Sequence, residues 1–212
     1  MTLAEYSFLA ASSLFVIVDP LATAPAFLAM TVDNTPAQRF QMARLACITM
    51  TVVLLLFAVA GTTIFKFLGI TLPAFQMAGS VVLLLVALDM LRGQRSRVHE
   101  TAEERAAGVT KPDIAITPLA VPMLAGPGAI STAILLHNQA QNFAQRVSLY
   151  VCIAAVSAAS WLILGIAARG TRWMNPIALK LTERVMGLLL AAVAFQFLVN
   201  ALRELKLIPP VN

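Results

Sequence analysis

Val18-Asp19-Pro20-Leu21-Ala22-Thr23-Ala24-Pro25-Ala26-Phe27 sets one acid and two prolines in the middle of an otherwise uncharged apolar run from Tyr6 to Thr31. Proline lacks a backbone donor and its ring collides with the preceding helical turn, so a helix through this run should be interrupted. At about 1.5 Å per residue, Asp19 and Pro20 lie roughly 20 Å along a span of roughly 39 Å. The interruption therefore belongs near the middle of whatever the run crosses. Pro122-Met123-Leu124-Ala125-Gly126-Pro127-Gly128-Ala129 repeats the pattern, again with two prolines five residues apart inside an apolar run.

What these runs cross follows from composition. Of 212 residues, 59% are apolar and 12% charged, and the mean hydropathy is +0.84; a soluble domain carries about a quarter charged residues. A cytosolic enzyme, a nucleic-acid module and a disordered tail are excluded together, and the net charge of +5 reads as loop lysines and arginines rather than a nucleic-acid footprint. Six segments approach the ~20 residues that a membrane helix needs: Tyr6–Thr31, Leu45–Phe65, Leu72–Leu91, Ile114–His137, Val147–Ala168 and Val185–Leu202. With an outside N-terminus, 11 of the 15 Lys and Arg fall on the inside and 4 on the outside. The expectation is a bacterial inner-membrane protein with both termini periplasmic. No Lys or Arg precedes Arg39, so the first span lacks the basic leader of a cleaved signal peptide and is expected to persist. Cys47 and Cys152 lie inside apolar runs and read as small buried side chains, not as a disulfide.

Comparison of the two halves extends the proline pattern. Arg44 and Arg146 each follow the second proline by 19 positions, and Gln76-Met77-Ala78-Gly79 and Arg184-Val185-Met186-Gly187 each begin a third span. Three spans therefore repeat, in residues 1–91 and 114–212, joined by a polar cytoplasmic loop over 92–113. An odd number of spans inserts the second copy upside down. The predicted fold is an all-α membrane protein of six transmembrane helices, built as two inverted-topology three-helix repeats with the first and fourth helices broken at Pro and Gly. Thr35-Pro36-Ala37-Gln38 should cap the second helix, and Asn175-Pro176 should start the sixth in the same way.

Each broken span leaves a half-helix whose N-terminus points inward with free N–H groups and a positive dipole end, which favours an anion. Gly126 and Gly128 bare the backbone to a small carboxylate, while Thr23, Ser131 and Thr132 stand about one turn away as hydroxyl donors or as hydroxyls bonded back to their own helices. A carboxylate at the bilayer centre costs about 3 kcal/mol. Asp19 is thus read as a ligand for a substrate ammonium, as a proton carrier, or simply as the cap of the half-helix that Pro20 opens. Gln76, Gln196 and Asn200 face either the cavity or a neighbouring helix. Metal-ligand spacing, nucleophile elbows and phosphate loops are missing from the sequence, so neither an enzyme nor a cofactor is expected.

Val18 to Leu28, together with Pro118-Leu119-Ala120-Val121-Pro122-Met123-Leu124-Ala125-Gly126-Pro127-Gly128-Ala129-Ile130-Ser131-Thr132 and the run from Arg184 to Ala192, resembles the paired signatures of the MarC family of bacterial inner-membrane proteins. Ala22 departs from the glycine common after the Asp-Pro-aliphatic triplet. The resemblance implies kinship with the LysE-type transporter superfamily and, through an archaeal relative described as a carrier of glycine and alanine, transport of small neutral amino acids. By position it points to Asp19, Pro20, Thr23, Pro25, Gly126, Pro127, Gly128, Ser131 and Thr132. The expected activity is secondary transport of a small-molecule substrate by alternating access, driven by a proton or sodium gradient, in a lipid bilayer and without nucleic acid. An ion or metabolite exporter and a non-transporting envelope component are the alternatives, and self-association is left open.

Overall fold

Helix boundaries follow local chemistry. In the computed structural model, which describes residues 1–31, 34–92, 115–170 and 176–208, Thr2 and Glu5 cap each other's backbone N–H groups and open α1 (Leu3–Val18). Asp19 turns left-handed at φ 42°, and α2 (Pro20–Met30) begins with Pro20, where a missing N–H is harmless. Thr35 and Gln38 form the anticipated capping box of α3 (Pro36–Leu68). Gly69 ends that helix at φ 65°, a conformation that suits glycine. There follow α4 (Leu72–Arg92), the π-helical segment α5 (Ala115–Leu124), α6 (Pro127–Gln139), α7 (Phe143–Gly170) and α8 (Pro176–Glu204). Pro176 opens α8 as expected; Asn175 and the polar stretch after Arg92 lie outside the described residues.

Among the described residues, five helical stretches are long and apolar enough to cross a membrane: Leu3–Met30, Pro36–Leu68, Leu72–Arg92, Phe143–Arg169 and Arg184–Glu204. The remaining expected span, Ile114–His137, coincides with α5 and α6, of 10 and 13 residues, each too short to cross alone.

Each of the two runs with paired prolines is interrupted once, and one proline of each pair takes no part in the break. Pro25 does not break its helix; it sits inside α2. A second interruption would bare more backbone to lipid than a tolerated proline does, and Asp19 has already redirected the chain. Pro122 likewise lies within α5, whose wider turns, such as Ala125 N–H to the Ala120 carbonyl at 2.7 Å, spare proline the fit that an α-helix demands. The second break falls instead at Gly126, before Pro127. Helix starts consequently recur at a spacing different from that of the prolines. Pro20 and Pro127 open half-helices 107 residues apart, and Pro36 and Phe143, again 107 apart, open the next pair.

Nearly all the substantial helix contacts join an element of the first half to one of the second: α4 with α8, α3 with α7, α6 and α5, α1 with α7 and α6, α2 with α7 and α8. Within a half, among the described residues, the largest contact is α6 with α7, and it is slight. One continuous core runs through Tyr6, Leu14, Phe27, Met50, Leu54, Leu124, Ile130 and Ile153. Cys47 and Cys152 are free and buried, as their apolar settings suggested.

Arg39 was counted among the loop cations, yet it is buried in the first turn of α3, where its Nε–H donates to the Thr31 carbonyl at the end of α2 (2.9 Å). The side chain ties two helices by satisfying a terminal carbonyl. Arg39→Met should lower stability by about 1.5–3 kcal/mol, what a buried hydrogen bond from a charged group contributes, the Thr31 carbonyl keeping the Asn34 N–H (3.0 Å) as its other partner; the loss is read as a fall in the thermal unfolding midpoint in detergent. An unchanged midpoint would show that the tie contributes nothing.

Candidate functional site: the two helix breaks

At the first break the chain folds its own acid onto the helix it opens. Asp19 Oδ1 accepts the Ala22 N–H at 3.1 Å, and the Asp19 carbonyl accepts both the Thr23 N–H (3.0 Å) and the Thr23 hydroxyl (2.9 Å). The tip of α2 therefore already holds a carboxylate. The expectation of a free, anion-seeking N-terminus fails here, for the physical reason that aspartate is itself a good cap. Asp19 is exposed, between exposed Ile17 and Leu21, whereas Pro20 and Thr23 are buried and Pro25 half-buried.

The second break is of the opposite kind. Gly126 precedes α6 with extended backbone and no side-chain cap, and Pro127 follows without an N–H. The next two amides, of Gly128 and Ala129, form the uncapped positive end of the helix. Gly126 and Pro127 are buried and Gly128 half-buried. Ser131 donates to the Pro127 carbonyl at 2.6 Å, so its hydroxyl, like that of Thr23, is bonded back within its own helix. Thr132, next along, is half-buried.

These breaks meet. A methyl group built on Gly128 would stand 3.3 Å from Cγ2 of Ile17, two residues before Asp19, and 3.1 Å from Cε1 of Phe197 on α8. Gly79 on α4 backs the other side: a methyl there would fall 2.0 Å from Cγ of Pro127. The ring and the glycine face are in close contact. Of these neighbours, Gly79 stands out in the sequence only as a marker of the repeat, while Ile17 and Phe197 carry no signal because apolar residues in an apolar span all look alike. Gln76 resolves to an interhelical role. Its Nε2 donates to Ser131 Oγ (3.2 Å) and to Glu204 Oε1 (3.3 Å), linking α4, α6 and α8. Gln196 donates to Asn200 on its own helix (2.9 Å). Among the described residues no group of His, Cys, Asp and Glu could hold a metal ion.

Comparison with known proteins bears on the whole chain. Residues 4–206 match the family described as MarC family integral membrane protein. A UPF0056 membrane protein of Methanocaldococcus jannaschii is 34% identical over 200 residues, covering 94% of this chain and 97% of the relative. YvbG of Bacillus subtilis is 33% identical over 183 residues, 86% of this chain and 87% of the relative. YhcE of Escherichia coli is 28% identical over 190 residues, 90% and 88% respectively. These names assign the relatives to a membrane and mention no cargo. No solved structure matches.

Proposed function

Because this chain belongs to the MarC family of integral membrane proteins, we propose that its two helix breaks together form the substrate site of a secondary transporter for small zwitterions, neutral amino acids above all. One observation carries the reading: the tips are electrically opposite. Asp19 brings a carboxylate to the α2 break, and the uncapped amides of Gly128 and Ala129 bring a positive end to the α6 break beside it. A zwitterion of a few atoms matches that pair, with its carboxylate on the amides and its ammonium on the free oxygen of Asp19. Pro20, Pro25, Gly126 and Pro127 shape the backbone of the two tips, while Thr23, Ser131 and Thr132 line their first turns.

Interleaved halves leave little room for one repeat to swing as a block. Alternating access then falls to the half-helices, hinged at Asp19 and at Ala125–Gly126, with Ile17 and Phe197 covering and uncovering Gly128. In this reading the two halves are inserted in opposite senses in the bacterial inner membrane, both termini face the periplasm, and a proton or sodium gradient drives the flux.

The test is counterflow of labelled alanine and glycine in proteoliposomes, with water access checked by thiol labelling of Ala22→Cys and Ser131→Cys in a background lacking Cys47 and Cys152. Saturable counterflow, with label at Ala22→Cys blocked by alanine, supports transport. A second reading, a non-transporting membrane component, draws on the self-bonded hydroxyls of Thr23 and Ser131. It expects no counterflow across a broad amino-acid panel and no labelling by water-soluble reagents at either position.

A further inference from the structure

A groove of about 290 Å³ opens between α3 and α7, with none of its lining residues on α1, α2, α5 or α6. The helices run antiparallel along it: the rings of Phe40 and Trp161 stand 5.3 Å apart, and further along Ser157 donates to the Cys47 carbonyl at 2.7 Å. Arg44 and Trp161 thus sit at one end of the groove, Thr51 and Ala154 at the other. Seven residues of helix separate Arg44 from Thr51, about 10 Å.

The chemistry of the two ends differs. At the first, the Arg44 side chain is exposed, and the Trp161 indole N–H is buried with no hydrogen-bond partner among the described residues. Neither α3 nor α7 contains a single Asp or Glu, so no carboxylate on either helix can answer Arg44. At the second end the hydroxyls are spent. Thr51 and Ser157 both donate to the Cys47 carbonyl and touch each other, which leaves Ile48, Ala154 and Ala158 to present hydrocarbon. A cationic mouth with an unused donor, continued by a dry apolar trough on the outside of a membrane-spanning helix pair, suits a lipid. A soluble polar metabolite would find no partners along the trough.

We propose that this groove binds one anionic phospholipid, its phosphate on Arg44, a headgroup oxygen accepting from Trp161, and an acyl chain along Cys47, Ala154 and Ser157. It lies apart from the transport site and does not depend on that reading. Arg44 belongs to the end of α3 that the charge distribution assigns to the cytoplasmic side, where anionic lipid and basic side chains attract each other.

Trp161 reports on the site directly. With Trp173→Phe as background, Trp161 is the sole tryptophan of the chain, and the protein is placed in phosphatidylcholine vesicles containing a minority of phosphatidylglycerol, bromine being carried on the acyl chains of one lipid or the other. Per mole, brominated phosphatidylglycerol should quench Trp161 about fivefold more effectively than brominated phosphatidylcholine, the preference that one arginine near the surface supplies. Arg44→Gln should bring the two lipids to parity, and Arg44→Lys should keep most of the preference, which separates loss of charge from loss of fold. Equal quenching in the parent, a preference that survives Arg44→Gln, or its abolition by inorganic phosphate alone would each overturn the proposal. So would quenching by neither lipid, the sign of a groove covered by a second copy of the chain.

Discussion

Asp19→Asn should cut counterflow at subsaturating substrate by roughly 10- to 100-fold and leave the unfolding midpoint where it was. Both halves of that expectation come from the geometry of the break. Asparagine caps a helix as well as aspartate does and tolerates the left-handed backbone that residue 19 adopts at φ 42°. Its side-chain oxygen can take the Ala22 N–H that Asp19 now holds. What it cannot supply is the charge. A hydrogen bond to a charged group contributes about 1.5–3 kcal/mol, so losing the ammonium partner should weaken substrate binding by roughly 10- to 100-fold.

Two companions separate capping from charge. Asp19→Gly keeps the left-handed turn and loses the cap; Asp19→Ala loses both, at about 2 kcal/mol in all. Stability should therefore fall in the order Asn, Gly, Ala, while counterflow at subsaturating substrate falls alike in all three. If transport instead tracks stability, with the Asn variant as active as the parent, Asp19 is a cap and nothing more, and the zwitterion reading goes with it.

The break at Asp19 could be read from the chain because its cause is local: an acid that caps, followed by a proline that starts a helix. The cap at Thr35 and the start of α8 at Pro176 were legible for the same reason. Matching Pro122 to Pro20 misled, because a proline does not by itself say whether it opens a helix, as Pro127 does, or rides inside one, as Pro25 does. That choice depends on which neighbour can leave the helical ladder, and Gly126 leaves it readily. Burial of Arg39 was hidden by a charge count that treats every arginine near a span end as solvated. The identity of the tips' neighbours was hidden more deeply. Gly79 and Pro127 are 48 positions apart, and nothing in either segment announces the other.

That contact supplies the second large effect. Gly79→Ala adds a methyl group 2.0 Å from Cγ and 3.0 Å from Cδ of Pro127, against an ordinary carbon separation of about 3.5–4 Å. Proline cannot rotate its ring away, and Pro127 is the first residue of α6, so the helices themselves must part by an ångström or more. Overpacking of this kind costs about 1–3 kcal/mol and occasionally more; the ~1 kcal/mol that alanine gains over glycine in a helix offsets only part. Other glycines calibrate the claim. At Gly61 the added methyl meets Cδ1 and Cγ1 of Ile134 at 2.6 and 2.8 Å, a side chain whose end can turn although its branched root is held, and Gly61→Ala should cost well less than Gly79→Ala. At Gly187 it meets the Ala87 carbonyl oxygen at 3.0 Å, backbone that moves only with its helix, and the cost should fall between. Transport should follow a steeper scale than stability, because displacing Pro127 carries the Gly128 and Ala129 amides away from Asp19, and a misplacement of about 1 Å in a positioned site can cost about 100-fold. Gly79→Ala should thus lose counterflow at temperatures where thermal unfolding in detergent still finds it folded. Equal behaviour of the Gly79 and Gly61 variants in both measurements would mean that the approach of α4 to α6 does not set the position of the tip, and the site would have to be sought elsewhere in the bundle.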